Sequence, residues 1–230
     1  MDVWYAALGI HNYTSTSYIG LGILVTCLSL VLWGEFKKKI IWVALFKPLS
    51  SLGFLIFAYA GWVEGQQDII YQWAIWVALL LSALGDVLLI KQDDKALLLG
   101  LAAFLLAHVA YCVACLLEIY SVFYFSILVM ISLVGGVFAY RYFKTSIPHD
   151  LQKATIAYII VIAMMVASAL NYAYVIESVP LAIAAVAFWW SDISVANARF
   201  MQAGFVNRLW GLPLYYLAQI LFASTLYVHP

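Results

Sequence analysis

The sequence predicts an all-α polytopic membrane protein, a bundle of eight transmembrane helices, and three observations carry that expectation. The first is composition. Of 230 residues, 67% are hydrophobic and 10% charged, with a mean hydropathy of +1.02, against roughly 45–50% and about 25% in soluble domains. The second is a series of eight apolar runs, at approximately 18–34, 40–60, 70–90, 96–117, 120–140, 153–175, 178–197 and 208–228. Each is close to the ~20 residues a helix needs to cross a bilayer core. The third is charge segregation. Threading eight helices puts Lys37, Lys38, Lys39, Lys91, Lys95, Arg141, Lys144, Lys153, Arg199 and Arg208 on one side. The other side holds Asp2, Glu64, Asp68, Glu118 and Glu177 and no Lys or Arg.

The runs are apolar on every face, whereas barrel strands alternate, so helices are the way to satisfy their backbone groups in lipid. By the positive-inside rule the basic side is cytoplasmic and both termini are not; a missed span would scramble the segregation. Trp33, Trp42, Trp73, Tyr142 and Trp210 suit an interfacial belt near span ends. No basic region precedes the first run, so no cleavable signal peptide is expected. The chain reads as one transmembrane domain over 1–230, with short loops that suit a bacterial inner membrane. Eleven basic and eleven acidic residues balance, which argues against nucleic acid as a partner. No protein partner is predicted, and function is expected within the membrane or at its edge.

One basic residue escapes the loops. Lys47 lies inside the second run, beside Pro48, and the membrane interior also holds Asp86, Asp192 and His108. Intramembrane charges are costly and mark functional sites by default. Counted from the nearest basic loop residue at 1.5 Å per residue, Asp86 lies ~8 Å deep, Asp192 and Tyr215 ~10 Å, Lys47 ~12 Å and His108 ~20 Å. The set is therefore expected to form one pocket in the cytoplasmic half, with His108 as its floor. Structural pairing of Lys47 with Asp86 is the plain alternative, but two acids for one base leave a carboxylate over. An unmatched carboxylate in hydrocarbon favours its neutral form, which is a proton donor. His108 fits a buried interhelical histidine as well as a catalytic one. Tyr111, Tyr158, Tyr215, Tyr216 and Gln219 are candidate hydrogen-bond partners, and Arg199 at the mouth is a candidate for a phosphate.

No metal or other cofactor is expected. His108 with two Asp lacks a spaced motif such as H-E-x-x-H, and Cys112 and Cys115 have no second ligand pair. With Cys27 they read as buried thiols. A faint repeat sets Lys47, Asp86, His108 and Tyr111 of runs 2–4 against Tyr158, Asp192, Tyr216 and Gln219 of runs 6–8. Because both halves have the same orientation, the spacing suggests a parallel duplication of four-helix halves about an axis along the membrane normal.

Lys47-Pro48-Leu49, Leu84-Gly85-Asp86, His108 with Tyr111, Ser191-Asp192, Arg199-Phe200, and Tyr215-Tyr216 with Gln219 occur in this order on successive runs. In them the chain resembles the YhhN-like lysoplasmalogenase family of eight-span membrane proteins, over runs 2 to 8. The resemblance implies a hydrolase that cleaves the vinyl ether of lysoplasmalogens to a fatty aldehyde and glycerophosphoethanolamine or glycerophosphocholine. Its partners would then be a lysophospholipid substrate, membrane lipids and water. Vinyl ethers hydrolyse by protonation of the β-carbon to an oxocarbenium ion that water traps. Such a site wants one protonated carboxyl group and one carboxylate, as in glycosidases. Asp86 and Asp192 are expected to be that catalytic pair, in either order, with Lys47, His108, Tyr111, Tyr158, Ser191, Arg199, Tyr215, Tyr216 and Gln219 binding substrate. The rival expectation is a proton-coupled transporter of small molecules or lipid using the same buried groups. The nearly apolar non-cytoplasmic half argues against it.

Overall fold

The computed structural model describes residues 13–64, 68–91, 93–117, 119–201 and 204–227. Among the described residues, eight long helices, each apolar enough to cross a membrane, run in chain order: α1 Ser15–Phe36, α2 Ile40–Glu64, α3 Ile69–Leu88, α4 Asp94–Cys115, α5 Val122–Phe143, α6 Gln152–Val175, α7 Val179–Phe200 and α8 Phe205–Ser224. The protein is thus an all-α, integral multi-pass membrane protein.

The boundaries depart from the hydropathy runs where polar caps do the work. Thr14 and Ser17 form a capping box, with Thr14 N donating to Ser17 Oγ at 3.0 Å, so α1 starts at Ser15, inside a stretch too polar to register as apolar. Asp68, Asp93 and Ser121 accept from the first-turn amides of α3, α4 and α5. Each cap satisfies donors that a helix start leaves open. Of the acidic residues expected opposite the basic end, Asp2 and Glu118 lie outside the described residues, as does the side chain of Glu64.

Six helices close a ring: α2 packs on α3, α3 on α4, α4 on α6, α6 on α7, α7 on α8, and α8 back on α2. The remaining two are peripheral. α1 lies along α2 and also reaches α8, while α5 lies along α6 and touches α7. Gly20 of α1 and Gly53 of α2 let the first pair approach closely; a Cβ on Gly20 would stand 2.7 Å from the Gly53 carbonyl oxygen. Small residues of this kind drive helix association where lipid removes the hydrophobic incentive. α5 buries only Gly136 and Phe143, so most of its surface faces outward. The ring is filled, not hollow. Tyr111 stacks on Phe222 with centroids 3.9 Å apart, and Phe54, Phe188 and Tyr216 are fully buried around them.

Candidate functional site

Asp86 occupies the last turn of α3. Lys47 and Ser51 stand one turn apart on α2, and residues at i and i+4 share a helix face, so both meet it. Lys47 Nζ lies 3.2 Å from Asp86 Oδ1, and Ser51 Oγ donates to Oδ2 at 2.7 Å. Lys47 Nζ also donates to the Asp86 backbone oxygen at 3.3 Å. α4 can come this close because residue 85 is glycine: a Cβ there would be 2.7 Å from the Phe104 ring. From α8, Tyr215 donates to the Ser82 carbonyl and Tyr216 to the Lys47 carbonyl, each at 3.2 Å. With both oxygens partnered and 2% of its side chain exposed, Asp86 is sealed. A buried charge is tolerated on these terms, paired and hydrogen-bonded.

Asp192, on α7, has a separate set of partners. Its Oδ2 lies 3.1 Å from Nε2 of the fully buried His108 on α4, and Tyr158 of α6 donates to Oδ1 at 3.4 Å. The other ring nitrogen of His108, Nδ1, lies 2.6 Å from the Phe104 carbonyl. A carbonyl oxygen only accepts, so Nδ1 carries a hydrogen. In a neutral imidazole Nε2 is then a lone pair, and it faces a carboxylate oxygen. The two atoms do not meet hydrogen-bond geometry, and neither has a hydrogen-bond partner among the described residues. The rings of Phe188 and Tyr158 stand against the imidazole, with centroids 4.5 and 5.7 Å away.

Other expected residues hold the frame. Tyr111 donates to Gln219 Oε1 at 2.7 Å, tying α4 to α8. Ser191 turns back onto its own helix, donating to the Phe188 carbonyl at 2.7 Å, so it does not point at either carboxylate. Ser194 and Asn207 exchange hydrogen bonds between α7 and α8 at 3.1 and 2.8 Å.

Two cavities reach this region from the basic end. One, about 510 Å³, has Lys47 on its wall together with Lys38, Lys39, Lys91, Arg199 and Arg208. The other, about 280 Å³, runs between α4, α5, α6 and α7 and is almost wholly apolar, with Asp192 and Tyr158 among its few polar groups. Leu97, Val195 and Arg199 line both, so the two cavities adjoin. Asp192 keeps 12% of its side chain exposed, and its place is the wall of the apolar cavity.

Two sequence expectations change. Asp192 is not an unmatched carboxylate, because His108 supplies the missing partner. Nor is His108 the floor of a pocket some 10 Å beneath Asp192: the two touch. Sequence reasoning missed Ser51, for which the only signal is its position one turn from Lys47. It also missed the convergence of the loop cations on one concavity, which sequence spacing does not encode. No curated protein and no solved structure matches the chain. The description of the YhhN family matches residues 42–226, α2 through the turn after α8, and on that extent the chain belongs to the YhhN family.

Proposed function

We propose that the protein is a membrane hydrolase that cleaves the vinyl ether of a lysoplasmalogen, releasing a fatty aldehyde and a glycerophospho compound. Membership of the YhhN family supports a hydrolase of this general kind. The observation that carries the specific reading is Asp192, which stands in the wall of an apolar cavity with its Oδ2 3.1 Å from His108 Nε2. The hydrocarbon chain occupies the apolar cavity and the head group the cationic one, so the ether falls where they adjoin. The Asp192–His108 pair delivers its proton to the β-carbon, and the ether oxygen shares the resulting positive charge as an oxocarbenium ion. Water attacks the α-carbon, the one bonded to the ether oxygen, giving a hemiacetal and returning a proton to the pair. The hemiacetal then collapses, its hydroxyl proton passing to the departing glycerol oxygen through the same pair. One water is consumed and the pair is regenerated, a single unit acting first as acid and then as base. Tyr158, donating to the other oxygen of Asp192, orients the carboxyl group.

Asp86 enters differently from the equal partner the sequence suggests. Locked to Lys47 and Ser51, it acts through Lys47, holding that cation on the wall of the head-group cavity. The test is aldehyde release by purified protein given a lysoplasmalogen. Asp192→Asn is expected to lower kcat by about 10²–10⁴, the range of a general acid, with KM little changed. Asp86→Asn is expected to raise KM more than it lowers kcat. Retained activity in Asp192→Asn ends the mechanism; a kcat in Asp86→Asn as low as in Asp192→Asn returns Asp86 to the chemistry.

A further inference from the structure

The cationic cavity holds more positive charge than a zwitterionic lipid can use. Lys38 and Lys39 reach it from the turn between α1 and α2, Lys91 from beyond α3, Arg199 from the end of α7 and Arg208 from the start of α8. Among the described residues, Glu35 is the only carboxylate on its wall. Lys47 adds no net charge, being paired with Asp86 at 3.2 Å. Among the described residues, Lys38, Lys39, Lys91 and Arg208 make no ion pair with a carboxylate. Basic residues at this end of a membrane protein are ordinarily topology signals, and Lys37 behaves as one, lying over the rings of Trp33 and Phe36 at 4.9 and 5.0 Å. Its immediate neighbours instead turn into a shared concavity with cations from two other connections of the chain, Lys91 between α3 and α4 and Arg199 and Arg208 on either side of the α7–α8 turn. Low-dielectric walls lined by one sign of charge focus the field inside.

We propose that this cavity is a head-group site selective for phosphates that carry no compensating ammonium, such as a phosphomonoester or a phosphoglycerol diester, over choline and ethanolamine head groups. In a zwitterionic head group the ammonium follows the phosphate into the cavity, where Lys38, Lys39, Lys91 and Arg208 repel it and, among the described residues, Glu35 is the carboxylate that attracts it. A head group of purely negative charge meets only attraction. The inference rests on the hydrolase reading in treating the ligand as a lipid, but it is tested by binding alone.

The probes are saturated 1-alkyl lysolipids of one chain length, which cannot undergo vinyl-ether hydrolysis, bearing phosphate, phosphoglycerol, phosphoethanolamine or phosphocholine. Binding to the full-length protein is measured calorimetrically in one neutral detergent. The phosphate and phosphoglycerol lipids are expected to bind about tenfold more tightly than the other two at low salt, the gap narrowing as salt screens the cavity. In the exposed double variant Lys38→Gln/Lys91→Gln most of that gap closes, the phosphate and phosphoglycerol lipids losing several-fold more affinity than the phosphocholine lipid. Equal affinities, tighter zwitterion binding, or a gap indifferent to salt and to the variant overturns the proposal. Displacement by glycerol 3-phosphate only at far higher concentration supports a lipid ligand; displacement at matching concentration overturns that assignment. Aldehyde release on the same preparation tests the hydrolase separately, so the two readings fail independently.

Discussion

Lys47 and Asp86 are the pair on which single substitutions have the clearest consequence. Lys47→Met leaves Asp86 buried without its ammonium partner while Ser51 still donates to Oδ2 at 2.7 Å. Removing one member of a buried ion pair costs about 3–5 kcal/mol, whereas replacing both by apolar groups of similar volume is often neutral. Thermal unfolding in detergent should therefore show Lys47→Met strongly destabilised and Lys47→Met/Asp86→Leu close to wild type. A double variant as unstable as the single one would mean the pair contributes net stability. The sequence made this pairing visible, since an intramembrane Lys and an intramembrane Asp at similar depth have few other partners. His108 and Asp192 were harder. Counting from Lys95 and Arg199 assumes that both cations lie in one plane, yet the 3.1 Å contact puts His108 and Asp192 at one level. Thirteen residues on one helix and seven on the other then place Lys95 about 9 Å further out than Arg199 along the helix axis. The discrepancy is itself informative, because a recessed Arg199 is what lets it line both cavities. Ser191, chosen for its place beside Asp192, illustrates the opposite error: adjacency in sequence put it on the far side of the helix turn, bonded to the Phe188 carbonyl.

Among the elements, α5 has the least of itself buried and yet closes the apolar cavity. It meets the rest of the bundle through small residues, Gly135 against Trp189 of α7 and Gly136 against Ile159 of α6. Gly136 and Ala139, with Tyr140 and Phe143, form its share of the cavity wall, and the two small residues have counterparts in Ala102 of α4, Ala154 of α6 and Ala196 of α7. Small side chains from four helices keep that space open. If an alkyl chain fills it, Ala139→Leu and Ala196→Leu take up room that the chain needs without disturbing either carboxylate. KM is expected to rise several-fold for long-chain substrates and less for short ones, with kcat for short chains near wild type. The measurement is KM against chain length; a uniform fall in kcat at every length would show that the cavity serves something other than the chain. Helix number and approximate limits were legible in advance because hydrocarbon thickness and charge segregation fix them. The small-residue wall was not, since Gly and Ala raise no signal in a run that is apolar throughout.

Across the whole molecule, the neighbours of α5–α8 repeat those of α1–α4: α6 on α7 matches α2 on α3, α7 on α8 matches α3 on α4, and the contacts α4–α6 and α8–α2 exchange with one another. Side chains follow the same rule. Lys47 and Tyr158, at matching places on α2 and α6, each reach the Asp of their own half, while His108 of the first half reaches Asp192 of the second and Tyr216 returns to the Lys47 carbonyl. Tyr111 and Gln219, also at matching places, bond to each other. The pattern breaks at one point. α1 packs onto α8, but α5 makes no comparable contact with the corresponding α4, and the apolar cavity lies between them. Asp192 stands on the wall of that cavity with 12% of its side chain exposed, against 2% for Asp86. Closure of the ring across both half-to-half interfaces implies that neither half is complete. Cut in the connection between α4 and α5, the first half retains Lys47 with Asp86 but loses the acceptor for His108, and the second retains Asp192 with Tyr158 alone. Co-expressed fragments 1–118 and 119–230 are therefore expected to co-purify and to release aldehyde, while either fragment expressed alone is degraded or aggregates. Co-purification should weaken when His108→Leu removes the contact to Asp192, and weaken further when Tyr111→Phe also removes the bond to Gln219. A first fragment that accumulates alone as a folded, monodisperse membrane protein would show that the ring is not the unit of stability.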